Sequence, residues 1–403
     1  MKDETIMLDI TSEQVVHQQP VRPAQKRLLS RRAFVGVSGT AIVGALGAGT
    51  LLAACTSQPE TAEQPASEPE PAAPEHPAER SVTNLDGTQI TVPGVVTGIA
   101  AIFGPSYERI VAVGAEDRIL CDGDFHIDGW PWSNVIYQRL NEVPGIPNAH
   151  SDLNVEDLVA RNVQVVFSFP SPDQVEAINN AGMVAIPMAG TGAVRDIADS
   201  LILYADVVGD AFAAAQAQAY SSYFDETVKM VKERTAAVTE RPSVYLAYTD
   251  ILHGYGAKSD MVEVIDIAGG ALVSIELEGS SNIEITSEQL IQWNPDFIFL
   301  DHAGSSGNAT AEDAISEALA SGDFNNITAV KDNHVFATPT GVFFWDSGIQ
   351  KILYLVYIAK TLHPNLFEDV DIKALLIDFY AQFFNYALTD DEATRILDHQ
   401  NPA

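Results

Sequence analysis

The chain has 403 residues, of which 46% are hydrophobic and 19% are charged, so it can bury a large core. Asp and Glu number 55 against 22 Lys and Arg, a formal net charge of -33, which argues against a nucleic-acid-binding protein because phosphate recognition needs clustered cations. The length indicates two domains of ordinary size, and two cysteines, Cys55 and Cys121, are too few for a disulfide framework.

Residues 1–54 predict an export signal. A basic region that ends in Arg31 and Arg32 precedes an uncharged stretch of small and apolar residues, which is the order of such a signal. The run SRRAFV resembles the twin-arginine signal for folded proteins, and LAAC, which ends at Cys55, resembles the lipobox, whose cysteine is lipidated. A transmembrane anchor with an incidental cysteine is the alternative. We therefore expect a protein anchored by lipid at the outer face of the cytoplasmic membrane.

Residues 55–80 are rich in Pro, Glu and Ala and show no apolar periodicity. A segment of this composition cannot offset its ordering entropy by burial, so it predicts a disordered tether. The tether would hold a folded body near the membrane without embedding it. Cys121 then has no disulfide partner, and we expect it to be a small buried hydrophobe.

Short apolar strands alternate with helices in the next part of the chain, which indicates parallel βαβ units. The pattern predicts, in order, a hairpin over 81–92, strands over 95–103, 118–121, 163–169 and 183–188, and helices over 107–115, 155–161, 172–181 and about 194–208. Residues 122–150 are irregular and rich in Gly, Pro, Trp and Asp. We expect one α/β lobe over 81–208.

A long helix is predicted in the middle of the chain. Residues 210–238 contain no Gly or Pro, and at 1.5 Å per residue they would span roughly 40 Å. A helix of this length suits a rigid connector over 209–240. The alternative is a long helix packed on a single domain.

The strand-helix alternation then restarts and predicts a second α/β lobe over 241–403. Its predicted strands cover 243–248, 296–301 and 334–338, and its predicted helices cover 259–268, 287–293, 311–319, 350–362 and 372–386.

Three segments of this body carry a family resemblance. GIAAIFGPSYERIVAVGAEDRIL, residues 98–120, resembles the opening of the substrate-binding proteins that serve importers of iron-siderophores, haem and vitamin B12. The matching positions are Pro105, Glu108, Gly114, Asp117 and Arg118. NVEDLVARNVQVVF, residues 154–167, and TSEQLIQWNPDFIFL, residues 286–300, resemble two further motifs of that family. The resemblance covers about residues 82–390.

The resemblance implies two Rossmann-like α/β lobes with parallel-rich sheets, joined by one stiff helix, with the ligand in the cleft between them. It also implies a monomer that delivers a metal chelate to an ABC permease dimer with its ATPase. Glu156 and Glu288 match the carboxylates that dock on permease arginines, which would orient the complex through charge complementarity. The alternative is that each glutamate only interacts with the dipole of its helix.

Ligands of open α/β sheets bind at the carboxyl ends of the strands, and aromatic side chains there would bury the apolar area of a chelate. The candidate ligand contacts in these segments are Trp345, Trp132, Tyr107, Tyr255 and Trp130, with the histidines His253, His302 and His126. Core packing is the alternative for each aromatic residue. One of His253 and His302 is a candidate axial ligand of haem iron or cobalt. His126 is a candidate metal ligand or a solvated loop residue.

The charge of the strand-end segments restricts the class of ligand. The strand-end segments hold no Lys or Arg, whereas a triply negative ferric catecholate would need cations around it. We therefore expect a neutral or weakly charged iron or cobalt chelate, such as a corrinoid, a hydroxamate siderophore or haem.

The sequence shows no HExxH, GxSxG, CxxC, GxGxxG or P-loop motif. We therefore expect no enzyme, no catalytic residue, no resident metal and no intrinsic cofactor. Two alternatives remain: a secreted redox enzyme that binds a cofactor, and a surface sensor or adhesin that transports nothing.

Overall fold

The computed structural model describes residues 77–123, 131–137, 139–188, 192–302, 310–339 and 341–403. The predicted export signal, Cys55, most of the tether, His126 and Trp130 lie outside these ranges. Within them, no helix combines the length and the apolar character needed to cross a membrane.

The described chain opens with the predicted hairpin. Strands β1 (Glu79–Thr83) and β2 (Gln89–Pro93) pair antiparallel, so regular structure includes the last two residues of the predicted tether. The turn needs Gly87, whose φ of 83° lies in the left-handed region. Arg80 fixes the hairpin to the rest of the molecule, because its guanidinium donates to the carbonyls of Gly94 and Val207.

The first sheet is parallel and has the strand order β4-β3-β5-β6. Its strands are β3 (Ile99–Ala101), β4 (Ile119–Asp122), β5 (Val165–Ser168) and β6 (Val184–Pro187). The helices of this part are α1 (Ser106–Ala112), α2 (Pro131–Ile136), α3 (Val155–Ala160), α4 (Pro172–Asn180) and α5 (Asp196–Val208). Continuous apolar strands are typical of a parallel sheet that is covered on both faces. Cys121 is buried in β4, as expected.

The long central helix is α6, Ala211–Thr235. Gly209 closes α5 with a φ of 77°, and the Asp210 side chain caps α6 by accepting from the backbone N–H of Ala213. The 25 residues of α6 span roughly 37 Å, and the helix packs against α5 and against α11, defined below.

The second sheet has six strands in the order β10-β8-β7-β11-β12, with β9 beside β7. The strands are β7 (Ser243–Ala247), β8 (His253–Gly254), β9 (Ala271–Leu272), β10 (Ile283–Glu284), β11 (Phe297–Leu300) and β12 (Val335–Ala337). The helices are α7 (Met261–Ile267), α8 (Ser287–Trp293), α9 (Ala311–Ala318), α10 (Thr328–Lys331), α11 (Lys351–Leu362), α12 (Ile372–Phe383) and α13 (Asp390–Leu397). Four strands pair in parallel, and β8 and β10 are antiparallel.

The two α/β parts are tied together behind the sheets by buried polar contacts. The Ile349 backbone N–H donates to Glu108 Oε2 at 3.1 Å, and the Tyr220 hydroxyl of α6 donates to the Ile349 carbonyl at 2.6 Å. Glu108 is completely buried. The mixed α/β architecture with parallel-rich sheets confirms the predicted fold class.

Candidate functional site

A cavity of about 730 Å³ lies where strands of both sheets end. Pro105 follows β3, Phe169 follows β5, and Tyr248 and His302 follow β7 and β11, and all four line the cavity. This is the place that the strand-end rule predicts for a ligand.

Aromatic rings cover both sides of the cavity. The ring of His302 stacks on Phe344 with centroids 3.5 Å apart and an interplanar angle of 2°. Tyr248 lies against the same imidazole at 4.1 Å. Across the cavity, Phe169 contacts Phe103 at 5.4 Å. These rings offer apolar area to a solute at little entropic cost.

Three buried residues form a polar group that we call the Asp–His–Asp cluster: Asp301, His302 and Asp346. Each offers one ligand atom, and these atoms lie within 4.8 Å of one another. His302 Nε2 lies 2.9 Å from Asp346 Oδ1. The Tyr255 hydroxyl lies 2.5 Å from Asp301 Oδ2 and 2.9 Å from Asp346 Oδ2. Asp301 Oδ1 is buried and makes no hydrogen bond with the described residues.

Burial and neighbouring charges shift the pKa values of the carboxyl groups in this cluster. Burial raises the pKa of Asp301 to about 7, and the negative charge of Asp346 adds to the shift. Burial would also raise the pKa of Asp346, but the charge and hydrogen bond of His302 outweigh it and lower that pKa. The Tyr255 hydroxyl supplies one proton to the two carboxylates. Burial opposes protonation of His302, but Asp346 and Asp301 raise the pKa of its imidazole, so Nε2 carries a second proton that faces Asp346.

Three cations line the cavity, which corrects the expectation drawn from the strand-end segments alone: Arg109 of α1, Lys351 of α11 and Lys258. They lie outside those segments, on helices or in the loop before α7. Arg109 is held by three hydrogen bonds, to Ser200 Oγ and the carbonyls of Pro105 and Ser347.

Carboxylates balance these cations. Lys351 pairs with Asp260, and Lys258 lies 3.5 Å from Glu278. The cavity lining contains three carboxylates, which are Asp196, Asp260 and Asp346. Counting Lys, Arg, Asp and Glu alone, the formal charge of the lining is therefore zero.

Of the predicted ligand contacts, Tyr255 and His302 line the cavity. His253 does not, since it lies on the antiparallel edge strand β8 and pairs with Asp250 at 2.9 Å. His126 and Trp130 are outside the described residues.

Three predicted aromatic contacts are core residues instead. Trp132, Trp345 and Tyr107 are almost wholly buried and do not line the cavity. Trp132 donates through Nε1 to the Gln400 carbonyl at 2.8 Å, and Tyr107 donates to Glu116 at 3.1 Å. All three residues follow the ends of strands, as predicted, but their side chains are buried in the core and do not face the cavity.

Asp301 and Asp346 are not among the contacts predicted from the sequence. Asp301 immediately precedes a predicted contact, His302, and Asp346 immediately follows another, Trp345. A carboxylate beside a histidine at a strand end was the available signal for Asp301, and a carboxylate beside a predicted aromatic contact was the signal for Asp346.

Glu156 and Glu288 occupy equivalent exposed positions in the two parts of the molecule. Each lies in the first turn of a short helix, α3 or α8, after the caps Asn154 and Thr286. Each helix leads into a strand of the sheet, β5 or β11.

Known proteins resemble this chain over most of its length. The molybdate-binding protein MolA of Haemophilus influenzae is 26% identical over 346 residues, which cover 79% of this chain and 94% of MolA. A periplasmic solute-binding protein from Veillonella parvula superimposes with a TM-score of 0.66 at 24% identity, covering 79% of this chain and 97% of that one. Helicobacter pylori CeuE with Ni(II) bound gives 0.65 at 19% identity, covering 79% and 100%.

The sequence model of the periplasmic binding protein family matches residues 99–341. This match includes more than half of the chain, both sheets and most of the cavity lining. The chain therefore belongs to the periplasmic binding protein family, a family of solute-binding proteins.

Proposed function

We propose that the protein is the extracytoplasmic solute-binding component of an ABC importer, and that it binds a metal chelate in the cavity and delivers it to the permease. The observation that carries this proposal is the cavity itself, in which aromatic rings surround the Asp–His–Asp cluster at the carboxyl ends of both sheets. No reaction is needed to explain this arrangement.

The charge balance of the lining supports a chelate of low net charge. Three cations face three carboxylates in the cavity, so a triply negative ligand would find no surplus positive charge and would be costly to desolvate. Hydroxamate siderophores, haem and corrinoids meet this condition, with iron or cobalt as the metal.

A molybdate-like oxyanion is the second candidate. MolA, by its name, binds molybdate, and Arg109 offers a planar guanidinium at the cavity wall. Against it, the cluster places Asp301 and Asp346 in the same region and would repel an anion.

Membrane attachment forms part of the proposal. Lipidation of Cys55 and a tether over 55–80 would keep the binding domain at the outer face of the membrane, where the permease opens. We expect mass spectrometry of the mature protein to show that its N-terminal residue is Cys55 and that this cysteine carries a lipid. A mature chain without lipid would contradict this part of the proposal.

Glu156 and Glu288 are the proposed permease contacts. One turn after each lies an exposed aliphatic residue, Val159 at 47% and Ile291 at 41% exposure. Each part of the molecule therefore presents a carboxylate with an apolar neighbour on one helix face. Two such patches fit a permease dimer that presents paired arginines.

Calorimetric titration of the purified full chain tests the ligand class. The panel contains haemin, cobalamin, a ferric hydroxamate, a ferric catecholate, a nickel–histidine complex and molybdate. We expect saturable one-to-one binding of a weakly charged chelate, weakened at least tenfold by His302→Ala and unchanged by His253→Ala, the matched control outside the cavity. Binding of molybdate alone would replace the chelate by an oxyanion, and binding of none would contradict the proposal.

A further inference from the structure

We propose that Asp301, His302 and Asp346 form a binding site for a divalent transition-metal ion, so that side chains of the protein coordinate the metal of the solute directly. The inference rests on the proposed function and narrows its substrate class. The solute must carry a metal with open coordination positions, which selects a metal complex with small ligands in place of the haem, corrinoid and hexadentate hydroxamate candidates named above.

The geometry of the cluster suits a metal. Zn–N and Zn–O bonds are about 2.0–2.2 Å long, so two donors on one ion lie roughly 3 Å apart. His302 Nε2 and Asp346 Oδ1 are 2.9 Å apart, and Asp301 brings the third ligand atom within 4.8 Å of both. Imidazole and carboxylate donors together suit first-row divalent metals.

The unpaired oxygen of Asp301 separates this cluster from an ordinary group of acidic residues. Asp301 is 4% exposed, and its Oδ1 makes no hydrogen bond of normal geometry with the described residues. The Thr338 hydroxyl is near enough to lower the pKa of Asp301, but it is bonded to the Tyr354 hydroxyl at 2.9 Å. An unsatisfied buried carboxylate oxygen carries a full desolvation penalty. A cation bound in the cluster would remove that penalty.

Charge gives a second argument. Tyr255 supplies one proton to the buried carboxylates Asp301 and Asp346, and His302 donates to Asp346 Oδ1 only while its Nε2 carries a proton. A metal ion bound at Nε2 would replace this second proton. A divalent cation would neutralise both carboxylates and leave the Tyr255 hydroxyl as an outer hydrogen bond that orients one of them. Lys351 is the nearby cation, but it is already paired with Asp260.

The small exposed area of the cluster restricts the kind of metal complex that can bind to it. His302 and Asp346 line the cavity, yet each side chain is only 7% exposed, and Asp301, 4% exposed, is not among the lining residues. A macrocycle fills the four in-plane positions of its metal, and a hexadentate siderophore fills all six. Three protein donors therefore require a metal that carries small, exchangeable ligands.

The test is titration of the full chain with Ni²⁺, Co²⁺ or Zn²⁺ in competition with a chromogenic chelator. We expect one metal per chain, and at least tenfold weaker binding in Asp301→Asn, His302→Ala and Asp346→Asn. Asp250→Asn and His253→Ala alter an exposed Asp–His pair and are the matched controls, with unchanged binding expected. The Co²⁺ absorption spectrum of the wild-type chain gives a readout that does not depend on the folding of any variant, and we expect nitrogen and oxygen ligation in it.

Wild-type protein that binds none of the three ions, or binds them equally well in the cluster variants, overturns the inference. This failure is distinguishable from failure of the proposed function. Haemin, cobalamin or a ferric hydroxamate bound in the cavity without affinity for the free ions would refute the metal site and leave the solute-binding function in place.

Discussion

At the scale of single residues, Glu108 joins the two α/β parts through a completely buried carboxylate. Burial raises the pKa of Glu108 to about 7 from 4.5, although the charge of Arg109 and the hydrogen bonds from Ile349 and Gln350 oppose the shift. The other ionisable groups that face it are phenols, which stay neutral below pH 9: Tyr137, Tyr220 and Tyr380. The folded chain therefore keeps a proton that the unfolded chain loses above pH 4.5.

This proton predicts a pH dependence of stability. The Glu108 contribution is fully present below pH 4.5 and is lost as the pH rises through 7, by about 3 kcal/mol for a shift of this size. Glu108→Gln should remove that part of the slope. Urea unfolding at pH 5 and pH 8 measures it, because shifts of other groups cancel between the wild type and the variant. Equal slopes in the two proteins would contradict the prediction.

Trp345 provides a second test at this scale. Its indole is 1% exposed and contacts the edges of Tyr354 and Tyr357. Trp345→Ala should lower the free energy of unfolding by about 3–5 kcal/mol, measured by urea unfolding. Trp345→Phe should leave solute affinity within a factor of two of the wild type. If the Phe variant has normal stability but a much lower affinity for the solute, Trp345 contacts the solute and the prediction is wrong.

At the scale of helices and strands, α3 and α8 carry the proposed permease contacts. The double substitution Glu156→Ala and Glu288→Ala should reduce solute uptake by cells at least tenfold, because both charge pairs with the permease are lost. Solute affinity should not change, since neither residue lines the cavity.

A control variant distinguishes a role in permease docking from an interaction with the helix dipole. Glu312 lies in the first turn of α9 and is exposed, as Glu156 and Glu288 are in their helices. Glu312→Ala should cost the same few tenths of a kcal/mol of stability without affecting uptake. Equal loss of uptake in the double variant and in the control would eliminate the docking role.

The sequence predicts helices and strands well where they are long or strongly apolar. The helix Ala211–Thr235 and the strand Val165–Ser168 lie inside their predicted ranges. The two-residue strands β8, β9 and β10 could not be predicted, because a period of two needs more residues to become visible. They form by pairing with β7 or with each other, which is a tertiary effect.

The candidate site was only partly predictable for a related reason. The strand-end rule selects the correct segments, and these contain His302, Phe344 and Tyr255. Periodicity does not show which way a loop side chain points, so buried Trp132 and cavity-lining Tyr255 look alike in the sequence. Arg109 and Lys351 reach the cavity from helices, which the rule does not include.

At the scale of the whole molecule, both sheets end at one cavity, and the parts that carry them are joined behind it by Glu108, Ile349 and Tyr220. A solute that contacts both walls stabilises the folded chain in proportion to its affinity, so thermal unfolding should shift upward with solute concentration.

The most direct test of solute binding in this cavity is anomalous diffraction from crystals of the complex with the metal-containing solute found by titration. We expect a single strong anomalous peak between the two sheets, next to His302. A peak at the exposed His253–Asp250 pair, or elsewhere on the outer surface, with the cavity empty of solute, would contradict it.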